Sequence, residues 1–145
     1  MVMPAVVPML AYEDGPATMD WLARAFGFEE RVRMLDSAGR LSHGEMKAGD
    51  GVVMMATPSP DYQSPRHHRD TCAAAASWLQ VPYIVDGVLV YVDDVVAHHA
   101  RAVEAGATIL SPPEDGGHGL RYRVEDLEGH RWMFMQRPAD GGDPG

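Results

Sequence analysis

The 145-residue chain has a single cysteine, only three phenylalanines and three tryptophans, and far fewer basic groups than acidic ones. Each scarcity excludes something. Cys72 alone cannot close an internal disulfide, and its isolation suits a reducing compartment. No apolar run is long enough to span a bilayer. The opening "MVMPAVVPML" lacks the basic start and the sustained apolar stretch of a secretory leader. The expectation is therefore a cytoplasmic protein outside the membrane. With 12 Lys+Arg against 21 Asp+Glu, the formal net charge is −9. That balance argues against nucleic acid or an anionic membrane surface as partner and admits small cationic molecules. What the chain does have is a hydrophobic fraction of 46%, enough for the core of one domain of typical size, ~100–150 residues.

The informative feature is internal repetition. "LAYEDGPATMDWLARAFGF" and "LVYVDDVVAHHARAVEAGA" share a layout of apolar strand, acidic break, helix and glycine. Asp14 and Asp94 stand 80 residues apart, Gly27 and Gly106 stand 79 apart, and Gly51 and Gly129 in "GDGVVMMA" and "LEGHRWMFM" stand 78 apart. Landmarks in step across half the chain predict two copies of one module, residues 1–57 and 87–138. A connecting segment, 58–86, and a flexible tail, 139–145, complete a single domain.

Each copy reads β-α-β-β-β. Residues 5–12 alternate as a strand. Pro16 suits a first helical turn, and Met19, Leu22 and Phe26 recur at helical spacing until Gly27 ends the run. Residues 31–35, 41–48 and 51–56 follow as strands around the turns "DSAGR" and "AGDG". In the second copy 88–92 is a strand, and Asp93 or Asp94 caps a helix whose apolar stripe is Val96, Ala100 and Val103, with Gly106 as its stop. Residues 108–110, 121–125 and 131–137 are the remaining strands. In the connection, the Pro- and His-rich first half reads as loop, and "DTCAAAASWL" reads as an alanine-driven helix capped by Asp70 or Thr71.

Paired modules of this length resemble the vicinal oxygen chelate superfamily, which includes glyoxalase I, extradiol dioxygenases and the fosfomycin and bleomycin resistance proteins. "YRVEDLEGHRWMFMQRP" is similar to the superfamily's closing strand, and "GHRWMF" is most similar to its PhnB-like branch, although Leu127 stands where that motif usually has proline. The resemblance implies an α+β fold in which the two modules form a curved mixed sheet around a concave cavity. It also implies a test. Metal enzymes of the superfamily take His, Gln or Glu ligands from the first and last strand of each module. Those positions fall on Val7, Met54, Gly87 and Met133, and a one-residue slip gives Pro8, Met55, Val88 or Phe134. None suits a hard or borderline divalent cation, so no metal and no other cofactor is expected. The alternative is a divalent Zn, Ni, Mn or Fe held by other residues, such as His43, Glu45 and His130.

Strand alternation assigns the lining of the cavity. Met9, Met54, Leu89, Tyr91, Arg121, Arg123, Met133 and Met135 are the predicted ligand-binding residues, with Glu125 on the same side as the arginines. Tyr122, Val124, Trp132 and Phe134 pack on the helix side. Arg121 and Arg123 are placed to bind a carboxylate or phosphonate, or else to pair with Glu45 or Glu125. His43 and Glu45 share a strand face with Lys47, opposite Ser42, Gly44 and Met46. They form a candidate acid–base pair, with a solvated structural contact as the plainer reading. His67 and His68 are expected on the surface, at least one of His98 and His99 in solvent, and His130 on nearby backbone carbonyls. Trp78 is assigned either to the pocket or to a subunit seam.

Three functions follow, in descending order. The first is a metal-free protein that binds a small apolar or cationic organic ligand, as the bleomycin resistance proteins do. The second is a glyoxalase-like lyase or isomerase, or a dioxygenase. The third is a structural dimer whose cavity is plain core. The resemblance also implies a homodimer.

Overall fold

The structure is a computed structural model that describes residues 2–81 and 84–138. The first module contains β1 (Met9–Ala11), α1 (Gly15–Phe26), β2 (Glu29–Leu35), β3 (Leu41–Ala48) and β4 (Gly51–Ala56). Two short helices, α2 (Pro65–Thr71) and α3 (Ala73–Ser77), and a single 3₁₀ turn (Trp78–Gln80) make the connection. The second module contains β5 (Val88–Val92), α4 (Val95–Glu104), β6 (Thr108–Asp115), β7 (Leu120–Glu125) and β8 (Arg131–Gln136). The predicted tail, 139–145, lies outside the described residues.

Each module builds a four-stranded mixed sheet, in the orders β1-β4-β3-β2 and β5-β8-β7-β6. The first strand of each runs parallel to the last, and the other pairs are antiparallel. The predicted landmarks repeat as conformations. Asp14 and Asp94 are both helix N-caps whose carboxylates accept from the backbone N–H three residues on. Gly27 and Gly106 both end the helical runs with positive φ, 73° and 85°, a region where a Cβ is strained.

One core joins both modules. Trp21, Phe26 and Phe28 from the first meet Tyr122, Trp132 and Phe134 from the second, with α1 packed on α4. Phe26 lies edge-on to Trp132 and Phe134 at 5.8 and 4.8 Å, the arrangement ring quadrupoles favour. Gly44 of β3 admits α1 closely, since a Cβ there would stand 2.9 Å from Met19 Sδ and 3.0 Å from Leu41 Cδ2.

Several sequence expectations are corrected here. The first strand is Met9–Ala11 rather than residues 5–12; Pro4 and Pro8 bring no N–H to a ladder. The apolar stripe assigned to α4 is on its outer face: Val96 and Val103 are 60% and 50% exposed. The inward residues are instead Val95, His98 and Ala102. Residues 65–71 are helix, not loop, because Pro65 sits at the first helical position, where its missing N–H costs nothing. The alanine helix is accordingly shorter and is capped by neither Asp70 nor Thr71; it begins after Cys72, whose extended backbone separates α2 from α3.

Candidate ligand-binding site

The site is built on the faces of the two sheets that turn away from the helices. On β4, Val53 and Met55 enter the core while Met54 is half-buried on the other face. On β8, Trp132 and Phe134 enter the core and Met133 is half-buried opposite. Register makes the repeat explicit. Met54 lies between Met9 on β1 and Glu45 on β3, and Met133 lies between Leu89 on β5 and Arg123 on β7. In the next row, Met135 lies between Tyr91 and Arg121.

The predicted residues are only partly brought together. Leu89, Arg123 and Met133 share a recess of about 180 Å³, completed by Asp86, Val88 and Arg131 among others. Leu89 and Tyr91 also line a groove of about 290 Å³ against Val6, Pro8 and the β3–β4 turn. Arg137 lies 5.9 Å from the Tyr91 ring centroid and pairs with Asp50 at 2.6 Å. Met135 is buried at its row. Met9 is 79% exposed and walls none of these spaces.

On the first sheet, His43 Nε2 and Glu45 Oε2 are 2.7 Å apart, and Arg31 approaches Glu45 Oε1 at 3.5 Å. Of that strand's opposite set, Gly44 and Met46 are buried, whereas Ser42 is exposed and its hydroxyl donates to the Met34 carbonyl.

Glu125 shares the face of Arg121 and Arg123, as its pairing with Arg131 two residues beyond the Arg123–Met133 pair requires, but it is covered rather than open. It is buried at the end of β7, where Arg69 grips it in a fork at 2.7 and 3.1 Å and Arg66 and Arg131 lie at 3.7 and 3.2 Å. The helix that was expected to be loop supplies two of those arginines.

The turn "EDLEGHRW" is the largest feature that sequence reasoning missed. Asp126 is buried and accepts four hydrogen bonds: from the Tyr12 hydroxyl (2.7 Å), Trp132 Nε1 (3.0 Å), and the N–H groups of Glu128 and His130. Burial nevertheless pushes its carboxyl above the ordinary value. Glu128 accepts from the N–H groups of Glu13 (2.6 Å) and Asp14 (2.8 Å) and from the Thr18 hydroxyl (3.2 Å), so an acid of the second module caps the entry to α1.

His130 points Nε2 at the Ala11 carbonyl and Nδ1 at Asp86, both at 2.7 Å. Two acceptors require both nitrogens to carry protons. Burial alone would lower the pKa, but Asp86, the nearby Asp126 and the Ala11 carbonyl outweigh it and raise it to about 9. Backbone carbonyls were expected as its partners; Asp86 was not. The only signal in the sequence was an acid-rich turn beside a Gly-His pair.

Four other histidines, His98, His99, His67 and His68, are also in contact with neighbours. His98 Nε2 donates to the Phe26 carbonyl (3.0 Å) and Nδ1 accepts from the Tyr122 hydroxyl (2.6 Å), a neutral tautomer. Burial lowers its pKa to about 4. His99 stands edge-on to Tyr122 at 5.1 Å, so neither member of the pair is fully in solvent. His67 is on the surface as expected, 3.0 Å from Glu13. His68 and Trp78 line a small recess of about 120 Å³ on the connection, apart from both sheets' ligand faces.

The superfamily's metal does not fit these residues. Val7 and Gly87 precede β1 and β5, and Met54 and Met133 have Met9 and Leu89 as their parallel neighbours. Thioethers and aliphatic groups are poor donors for hard divalent ions. The alternative set fails by chemistry as well, because both His130 nitrogens are already committed. Among the described residues no group of three or more His, Cys, Asp or Glu is placed to hold an ion. No helix among them is long and apolar enough to cross a membrane.

Comparison with known proteins agrees with this architecture. TioX from Micromonospora sp. ML1 is 33% identical, with a TM-score of 0.67 over 94% of this chain and 98% of that one. TnmS3, an antibiotic binding protein from Streptomyces sp. CB03234, is 19% identical with a TM-score of 0.63, over 94% and 98% of the two chains. The bleomycin-binding protein of Streptomyces verticillus, solved with copper(II)-bleomycin, is 17% identical with a TM-score of 0.59 and the same coverage. An uncharacterized protein of Mycobacterium bovis, Mb0911c, is 29% identical over 136 residues, 93% of this chain and 84% of its own. The family model for the Glyoxalase/Bleomycin resistance protein/Dioxygenase superfamily matches residues 5–134, and the chain belongs to that superfamily.

Proposed function

We propose that this protein binds a small, largely apolar organic molecule on the open faces of its paired sheets, without a metal, and acts as a homodimer. The carrying observation is the row Leu89–Met133–Arg123 with its counterpart Met9–Met54–Glu45. Where a metal enzyme of this architecture places ligands, the chain places flexible thioethers, side chains that adapt to varied apolar ligands. Two structural neighbours are named for antibiotic binding, which supports a role of the same kind. The likeness of "GHRWMF" to the PhnB-like branch bears little on the ligand, since His130 and Trp132 serve the joint between modules.

A second reading is acid–base chemistry by His43 and Glu45, favoured by their 2.7 Å contact on the open side of β3. Elemental analysis of the untagged protein, dialysed with and without nickel, zinc, manganese and iron(II), separates these readings when run beside a thermal-shift screen of aromatic and polycyclic compounds. No retained metal with a stabilising ligand is expected. Stoichiometric retained metal overturns the binding reading. Turnover of a stabilising ligand that is lost in His43→Gln favours the second.

A further inference from the structure

Two apolar spaces meet along β5. The recess of about 180 Å³ and the groove of about 290 Å³ both have Val88 and Leu89 in their walls, and Leu89 is 44% exposed between them. β5 is the end strand of its sheet, so its outer edge gives onto the groove. Across the groove, the β3–β4 turn is fastened to the second module. Asp50 pairs with Arg137 at 2.6 Å, and a Cβ at Gly49 would stand 3.1 Å from the Tyr91 carbonyl oxygen. The groove is therefore formed before any ligand arrives, as small-molecule sites commonly are.

Each charged side chain on these walls is already engaged. In the recess, Asp86 meets His130 at 2.7 Å. Arg131 donates to Glu125 and to the carbonyls of Trp78, Val81 and Ile84, and Arg123 has an interaction of its own. In the groove, Arg137 is taken by Asp50 and lies 5.9 Å from the Tyr91 ring centroid. An ionic ligand would enter with its charge unpaired or displace one of these contacts, and either opposes binding. Size points the same way as charge. The recess alone holds about one six-membered ring, since an apolar cavity of about 150 Å³ accommodates benzene. Joined across Leu89, the two spaces reach the range of drug-sized ligand pockets, about 300–1,000 Å³.

Resting on the binding function above, we propose that recess and groove form one site for an elongated, uncharged, multi-ring molecule lying across β5, with Leu89 against its middle. One ring system occupies the recess beside Met133, and the other lies in the groove between Val6 and Tyr91. The formal net charge of −9 pointed to a cationic ligand. The local pairing selects a neutral one, because charges more than about 8 Å away are largely screened at physiological salt.

Fluorescence titrations of the full chain test this with four probes. N-phenyl-1-naphthylamine is long and uncharged, and 1-naphthylamine is its shorter part. 8-Anilino-1-naphthalenesulfonate is the anion of the long skeleton, and thioflavin T is an elongated cation. The long neutral probe is expected to bind once per chain, about tenfold more tightly than the short one, with neither ionic probe exceeding it. Leu89→Asp on the shared wall and Val6→Asp in the groove should each weaken it by about tenfold. Val6 is 82% exposed, so its variant should fold. Circular dichroism checks both, and Leu89→Ala carries the comparison if Leu89→Asp does not fold. Equal affinity of long and short probes, two long molecules bound per chain, or parent-like binding by Val6→Asp overturns the joined site and leaves the binding function standing. Tighter binding of either ionic probe overturns the neutral preference. Failure of all four to bind overturns the proposal and the binding function together.

Discussion

Replacing Glu128 with alanine removes the acceptor of the Glu13 and Asp14 N–H groups and of the Thr18 hydroxyl. Donors left without a partner in a half-buried joint cost roughly 1–3 kcal/mol each. A loss of about 2–4 kcal/mol in urea unfolding is therefore expected for Glu128→Ala, and a loss under about 0.5 kcal/mol, as for a surface change, would show that solvent replaces the carboxylate. Two histidines give the joint a pH optimum. His130, raised from 6.5 to about 9, contributes stability that is complete below pH 6.5 and is lost as pH rises through 9. His98, lowered from 6.5 to about 4, has the opposite sense: the unfolded chain takes up the proton first, so stability falls as pH drops from 6.5 towards 4. Urea midpoints at pH 5, 6.5 and 9 should therefore peak at the middle value. His130→Asn should flatten the alkaline arm, which is worth on the order of 3 kcal/mol from the linkage of shift to stability.

Helix α4 shows what a single element reveals and what it hides. Its ten residues carry apolar side chains on two faces, so periodicity alone permits either Val95 and Ala102 or Val96, Ala100 and Val103 to turn inward. The choice is made by contacts from elsewhere in the chain: His98 reaches the Phe26 carbonyl and the Tyr122 hydroxyl. Val95→Ala should then cost about 2 kcal/mol for two buried methyl groups, while Val96→Lys should stay within about 0.5 kcal/mol. The reverse order would restore the original stripe.

The same distinction governs the rest of the reading. Strands β3, β4 and β5, the matched acidic breaks at Asp14 and Asp94, with Asp94 as one of two candidate caps, and the equivalence of Met54 with Met133 are local patterns and were legible. The joint was not, because Tyr12 meets Asp126 and Glu13 meets Glu128 across more than a hundred residues. The recess was half legible. Alternation put Leu89, Arg123 and Met133 on one face, but the buried arginine and carboxylate beneath them depend on α2 folding over the end of β7.

At the scale of the whole molecule, the repeat predicts two copies of one module within a single domain, and one core spans both copies. Phe26 and Phe28 share a core with Trp132 and Phe134. Polar links cross the same boundary: Trp21 Nε1 to the Ala105 carbonyl, Arg101 to the carbonyls of Ala23 and Arg24, and His130 to Ala11. Splitting the modules would expose aromatic surface and break these hydrogen bonds, at a cost neither module recovers alone. Unfolding should therefore be a single transition, with tryptophan fluorescence from Trp21, Trp78 and Trp132 coinciding with the loss of far-ultraviolet dichroism. Two separated transitions would assign independent stability to each half. The open faces add a concentration dependence. Val6 is 82% exposed, Met9 79% and Leu89 44%, apolar surface of the kind that marks an interaction site. If a second copy covers it, light scattering should give twice the 15.8 kDa chain mass, and the melting temperature should rise with protein concentration, because association stabilises only the folded state. A 15.8 kDa species whose melting temperature is independent of concentration would leave those faces to the ligand alone.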